Sequence, residues 1–331
     1  MNAIEVRGLT KSYGDVHAVR GLDLTVPEGQ IFGFLGPNGA GKTTTIEILE
    51  GFRERSGGDI RVLGQDPATA PLSWREDIGI VLQESEIEGE LTAVEAVTMQ
   101  SNYFAAPRNP EEVLELVGLA DARDQRAAKL SGGQKRRLDL AMALVGDPKL
   151  VFLDEPTTGF DPSARRESWD MISALRDLGN TVLLTTHYMD EAQNLADRIA
   201  VIAEGRIVAE GTATELAEQV AAVPRITWSQ PTSPDTPAVP DRFGAVAEGD
   251  RMVLETHDVV AVLHELTNWA ADPANDAGEA LADLEIARPT LEDTYLQLTT
   301  GASGSPAKNT DQGVETGRRS RRQRKQRGGR S

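Results

Sequence analysis

The stretch Ile31-Phe-Gly-Phe-Leu-Gly-Pro-Asn-Gly-Ala-Gly-Lys-Thr43 decides the fold. Ile31 to Leu35 is a continuous apolar run, the pattern of a strand covered on both faces. Gly36, Pro37, Asn38, Gly39, Ala40 and Gly41 then turn the chain, and Lys42, Thr43 and Thr44 lead into a helical pattern ending at Leu49. Glycines in such a turn let consecutive backbone N–H groups face inward, and the helix N-terminus adds its positive dipole end to the same concavity. Lys42 supplies a charge for the β- and γ-phosphates of a bound nucleotide, and Thr43 offers a hydroxyl to Mg2+, which prefers oxygen ligands. Strand, phosphate-cradling turn and helix in this order predict an α/β protein.

The same alternation runs to about residue 215. Ile78–Leu82, Leu150–Leu153, Thr181–Thr185 and Ile199–Ala203 read as further core strands of a mostly parallel sheet, whereas Ala3–Leu9 and Asp59–Leu63 look like an antiparallel side layer. Thr92 with Glu95 makes a capping-box pattern, and residues 92–146 read as an inserted helical subdomain. The apolar run before Asp154 and Glu155 places both carboxylates at the end of a buried strand, where open sheets form their ligand crevice. Asp154 is suited to hold Mg2+ through water, and Glu155 to orient and deprotonate an attacking water.

Beyond residue 220 the pattern changes to a small α+β region. Arg225–Trp228, Met252–Glu255 and Leu281–Ile286 are its expected strands, Val259, Val262, Leu263 and Leu266 recur at helical spacing, and a last helix is expected from Thr290. Its apolar residues Leu291, Tyr295 and Leu298 are expected to close this region's own core. The expected divisions are 1–219, 220–300 and a disordered basic tail, 301–331. The tail carries nine basic and two acidic residues, a net of +7 in a chain of net charge −18, so residues 1–300 hold −25. Such an acidic body is a poor match for nucleic-acid phosphates, and no nucleic acid is expected as a partner. The tail is read as a solvated segment, with contact to an anionic membrane surface, RNA or protein as the alternatives.

The chain of 331 residues has no cysteine, which excludes disulfides, thiolate metal sites and cysteine nucleophiles. No apolar run approaches the ~20 residues of a membrane-crossing helix. Residues 1–16 lack a cationic, apolar leader, so the expected location is cytoplasmic.

Leu130-Ser-Gly-Gly-Gln134 lies ahead of Asp154 in the same chain as the phosphate loop, and with these motifs the sequence resembles the ATP-binding subunits of ABC transporters over roughly residues 3–215. On the residues alone, Ser131 and Gln134 form a helix cap, and Gly132 and Gly133 expose N–H groups to an anion. The resemblance implies an ATPase that works as a homodimer, with ATP sandwiched between the Walker A loop of one copy and the LSGGQ segment, Ser131 to Gln134, of the other. It further implies that Gln83 contacts Mg2+ and relays to the membrane partner, and that His187 is the γ-phosphate switch. By the same token Tyr13 stacks on adenine and Asp161 couples the two sites. The region after residue 220, ending Arg288-Pro-Thr-Leu-Glu-Asp-Thr-Tyr-Leu-Gln-Leu, is similar to the C-terminal extension of the daunorubicin-resistance group of multidrug exporters. That likeness implies a separate polytopic permease, export of a drug-like or lipid-like compound, and a place on the cytoplasmic face of the membrane. A soluble ABC-type ATPase acting on ribosomes or DNA is the rival reading. A self-resistance protein that mainly binds the drug is a third, to which Trp228, Phe243 and Trp269 lend only scattered aromatics.

Overall fold

A computed structural model describes residues 1–82, 87–219, 223–230, 236–275, 277, 280–287 and 295. Strands β1 (Asn2–Tyr13) and β2 (Val16–Pro27) form a long antiparallel hairpin in which Ile4, Val6, Leu9, Val19, Leu22, Leu24 and Val26 are buried. β3 (Ile31–Leu35) is buried at every residue and leads into α1 (Lys42–Leu49). β4 (Gly57–Val62) joins β1 antiparallel, giving a three-stranded side layer in the order β2-β1-β4.

The main sheet adds β5 (Ile78–Val81). Three helices follow, α2 (Ala93–Ser101), α3 (Pro110–Leu116) and α4 (Gly132–Leu144). Thr92 caps α2 through the capping box expected from the sequence. Then come β6 (Leu150–Asp154), α5 (Pro162–Asp177), β7 (Thr181–Thr186), α6 (Met189–Leu195), β8 (Arg198–Ala203), β9 (Arg206–Gly211) and α7 (Ala213–Gln219). The sheet order is β5-β6-β7-β3-β8-β9, parallel except for β9.

Period-two alternation divides the core. Phe32, Phe34, Leu150, Phe152, Leu183, Ala200 and Ile202 face α1 and the side layer. Val151, Leu153, Val182 and Leu184 face α5 and the α2–α4 helices, and Leu35, Ile199 and Val201 face α6. Burial of a side chain such as Phe152 contributes about 1.5–3 kcal/mol. Because β3 is flanked by β7, with β6 beyond it, the turn after Leu35, the carboxylates at the end of β6 and the residues after β7 emerge at one edge.

The last sheet, β10 (Arg225–Ser229), β11 (Val246–Glu248), β12 (Arg251–Glu255) and β13 (Glu285–Ala287), is antiparallel in the order β11-β12-β10-β13. It packs on α8 (Val259–Ala271) around Ile226, Trp228, Leu254 and Leu266. The strand expected over Leu281–Ile286 is instead a turn followed by the short β13, because Leu281 and Leu284 drop into the core beneath the sheet. Of the helix expected from Thr290, only Tyr295 is among the described residues. It packs against the cluster of Leu35, Ala192, Ile199, Val201, Ala209 and Leu216 beside the main sheet, so Tyr295 does not close the C-terminal region's own core.

Candidate nucleotide-binding site

The turn after β3 is held open by geometry that only glycine accepts at two positions. Gly41 has φ 105°, and a Cβ there would lie 2.6 Å from the Ala18 carbonyl oxygen. At Gly36 an added Cβ would lie 2.5 Å from the Ile202 carbonyl oxygen. Lys42 is only 5% exposed; its Nζ donates to the carbonyls of Gly36 (2.8 Å) and Pro37 (3.3 Å). Burial holds its pKa below the usual lysine range, even though Glu155 and Asp154 pull the other way. A cleft of about 310 Å3 opens above the turn, lined by Asn38, Gly39, Gly41, Lys42, Thr43, Thr44, Ala18 and Glu155. Ala40 is buried beneath the loop, and its N–H closes the turn on the Pro37 carbonyl (3.2 Å).

Asp154 and Glu155 sit across this cleft. The Asp154 carboxylate accepts the Thr185 hydroxyl, and burial pushes its pKa up despite that bond. Glu155 adopts a left-handed backbone (φ 46°), and its N–H donates to the Thr185 carbonyl (3.2 Å) and hydroxyl (3.0 Å). This backbone swing carries the Glu155 Oε1 to 3.6 Å from Lys42 Nζ and 3.3 Å from His187 Nδ1, while Thr158 donates to Oε2 at 3.1 Å. Three predicted residues from three separate segments, Lys42, Glu155 and His187, therefore meet at one carboxylate. The hydroxyl of Thr43, which lines the cleft, and the buried carboxylate of Asp154, next in sequence to the lining Glu155, are hard oxygen donors, a set that fits Mg2+, which keeps several waters and takes its remaining ligands from phosphate. A divalent cation there would also supply counter-charge to the buried Asp154.

Ser131 to Gln134 lie elsewhere. Ser131 caps α4: its hydroxyl accepts the Gln134 N–H (3.3 Å), and the Gln134 side-chain oxygen accepts the Ser131 N–H (2.9 Å). These residues, with Gly132, Gly133 and Asp161, line a second cleft of about 730 Å3 that shares no lining residue with the first. Asp161 caps α5, accepting from Ser163 (2.9 Å) and Ala164 (3.0 Å). Tyr13, 42% exposed at the end of β1, has Lys11 Nζ 5.0 Å and the Arg53 guanidinium 5.4 Å from its ring centre. Gln83 lies outside the described residues.

Sequence reasoning missed three residues here. Arg136, on α4, is turned inward and donates to the backbone carbonyls of Leu82, Asp154 (3.0 Å) and Pro156 (3.2 Å). It ties the helix behind Ser131 to the strand end that carries the acidic pair. Thr185 is one of three threonines in β7, so nothing local singles it out for its bond to Asp154. Glu191 reads as an ordinary first-turn acid of a helix and is instead fully buried.

A strand, glycine-rich loop and helix cradle, faced by an acidic pair at the end of β6, defines an ATPase of the P-loop class. The sequence profile described as ABC transporter matches residues 19–158. The daunorubicin resistance ATP-binding protein DrrA3 of Streptomyces coeruleorubidus is 38% identical over 90% of this chain and 96% of its own length. The Nod factor export ATP-binding protein I of Burkholderia orbicola is 40% identical, over 89% and 96%. The daunorubicin/doxorubicin resistance ATP-binding protein DrrA of Streptomyces peucetius is 49% identical over 65% of this chain, a match spanning 66% of that protein. Among solved structures, an ATP-binding cassette of an ABC transporter in its ADP conformation superposes with a TM-score of 0.59 at 25% identity, covering 65% of this chain and 92% of that one. The chain belongs to the ABC transporter family, as one of its ATP-binding proteins. No helix among the described residues is long and apolar enough to cross a membrane.

Proposed function

We propose that this chain binds and hydrolyses ATP with Mg2+ to drive a separate polytopic membrane permease that exports a drug-like or lipid-like compound. The observation that carries the hydrolytic part is the Glu155 carboxylate, fixed between Lys42 and His187 at the edge of the phosphate cleft. Glu155 orients the attacking water and takes its proton, a role that needs a carboxylate within hydrogen-bond reach of the water. Lys42 and the backbone N–H groups of Asn38, Gly39 and Gly41 to Thr44 hold the phosphates, in a turn shaped by Gly36, Pro37 and Ala40. His187 contacts the γ-phosphate, and Tyr13 stacks on adenine. Thr43, Asp154 and Gln83 would hold Mg2+, which would supply positive charge for the transferring phosphoryl group.

The separation of the two clefts supports a homodimer in which Ser131, Gly132, Gly133 and Gln134 of one copy close over ATP in the Walker A loop of the other, with Asp161 linking the two sites. The roles of the relatives, daunorubicin resistance and Nod factor export, support an exporter. In this reading residues 1–219 form the ATPase domain, with its helical subdomain at about 92–146. Residues 220–300 form an accessory domain, followed by the basic tail 301–331 as a solvated segment.

The test is capture of tagged Glu155→Gln protein with Mg-ATP from detergent-solubilised native membranes, followed by mass spectrometry. A stoichiometric permease is the expected result. Ribosomal or DNA-repair proteins without a permease would replace the transporter reading with a soluble ATPase.

A further inference from the structure

Glu191 lies in the first turn of α6 with no solvent exposure. Burial pushes this carboxyl above the usual range, and its Oε2 has no hydrogen-bond partner. The Thr157 hydroxyl donates to its Oε1 at 2.8 Å and the Trp169 indole N–H at 3.3 Å. Glu191 and Thr157 lie on the two segments that deliver the reacting side chains. Thr157 follows Glu155 by two residues, next to Thr158, whose hydroxyl holds Glu155 Oε2. Thr186 immediately precedes His187, and its hydroxyl accepts the Tyr188 N–H (2.9 Å). Trp169 brings in α5, the helix capped by Asp161. An outer brace follows the same line: Arg165 of α5 pairs with Asp190 (3.2 Å) and stacks 4.2 Å from the Tyr188 ring centre.

We propose that Glu191, on α6 four residues beyond His187, is a positioning residue that moors the start of α6 to Thr157 and Trp169, and so sets the spacing of Glu155 and His187 for hydrolysis. The inference rests on the hydrolytic reading of Glu155 above. It acts through geometry and touches no nucleotide, so its signature is a loss of turnover with binding retained.

The experiment uses the full chain as wild type, Glu191→Ala, Glu191→Gln, Thr157→Val, the double variant Glu191→Ala/Thr157→Val, and Glu155→Gln. Steady-state hydrolysis, equilibrium binding of a fluorescent ATP analogue and thermal melting are measured for each. Glu191→Ala is expected to lower kcat roughly 10- to 100-fold while Kd changes less than about threefold. Glu191→Gln keeps an oxygen acceptor for Thr157 and Trp169 and is expected to stay within about fivefold of wild-type kcat. Thr157→Val lowers kcat alone but adds nothing to Glu191→Ala, because both cut the same link. Wild-type kcat in Glu191→Ala, equal losses of kcat and affinity, no recovery in Glu191→Gln, or additive losses in the double variant would each overturn the proposal. If Glu191→Ala does not fold, an unchanged kcat in Thr157→Val overturns it by itself, and a reduced one with binding retained supports it. Wild-type turnover in Glu155→Gln would remove the underlying hydrolytic reading and is read separately.

Discussion

Replacing Glu50 by Gln should flatten the pH dependence of this protein's stability. Glu50, at the C-terminal end of α1, is buried, its Oε2 has no hydrogen-bond partner, and its pKa is pushed up from 4.5 to about 8 by burial first and by Asp154 and Glu47 second. A carboxyl whose pKa is raised on folding binds a proton more tightly in the folded chain. Its contribution is therefore fully favourable below the unfolded pKa and is lost as pH rises through the folded value. With a pKa unit equal to about 1.36 kcal/mol, the wild type loses roughly 4 kcal/mol between pH 5 and pH 9 through this one residue. Glu50→Gln has nearly the same volume and cannot ionise, so it escapes that loss. With an unfolding entropy of about 2.1 cal/mol/K per residue over 331 residues, the Tm difference between variant and wild type should grow by roughly 6 °C from pH 5 to pH 9. Thermal melts of both proteins across that range, followed by circular dichroism at fixed ionic strength, give the comparison. Only the change in the gap with pH matters, because the variant amide brings a constant burial cost of its own. Parallel curves of Tm against pH would refute the reasoning and mean that Glu50 is ionised and compensated when folded.

Three further outcomes are expected. Glu155→Gln should bind Mg-ATP, hydrolyse it at least about 100-fold more slowly, and sediment as a dimer with Mg-ATP; a strictly monomeric species would refute the shared site. Arg136→Met should cost about 3 kcal/mol or more, since three carbonyl acceptors lose a charged donor, and an unchanged melting temperature would show that the bracket contributes nothing. Gly36→Ala should destabilise by about 1–3 kcal/mol because its Cβ meets the Ile202 carbonyl at 2.5 Å. Gly132→Ala, where an added Cβ meets nothing within 4 Å, should melt like wild type yet weaken ATP-dependent dimerisation; equal melting losses in both would contradict the contrast.

Strands buried on both faces were readable because their signal is continuous: β3, β6, β7 and β8 each present an apolar run. β2 escaped notice although it alternates, since Gly21 and the register shifts along its pairing with β1 interrupt the period. β9 was hidden because its apolar run is only Ile207, Val208 and Ala209, between exposed Arg206 and the half-buried Glu210 that pairs with Arg198. The nucleotide cradle was legible from spacing, because a glycine turn and a lysine act through backbone that lies close in sequence. Arg136 and Glu191 were not. Their partners sit at Leu82 and Asp154, and at Thr157 and Trp169, and such contacts exist only once β5, β6 and α5 have packed. Tyr295 was misassigned for the same reason: a helical apolar face announces that it will be covered but not by what.

The cap on α4 has a consequence in lone pairs. A serine hydroxyl has two acceptor positions and one proton, and Ser131 spends an acceptor position on the Gln134 N–H. Its proton stays free to point into the cleft, so holding the helix and donating to an incoming oxyanion do not compete. Alanine would forfeit both uses, aspartate would keep the cap while presenting a negative charge with no donor, and threonine would keep both at the expense of one extra methyl group. An ordering of threonine above aspartate in ATP-dependent dimerisation, with helix stability similar in the two, separates the proton from the cap.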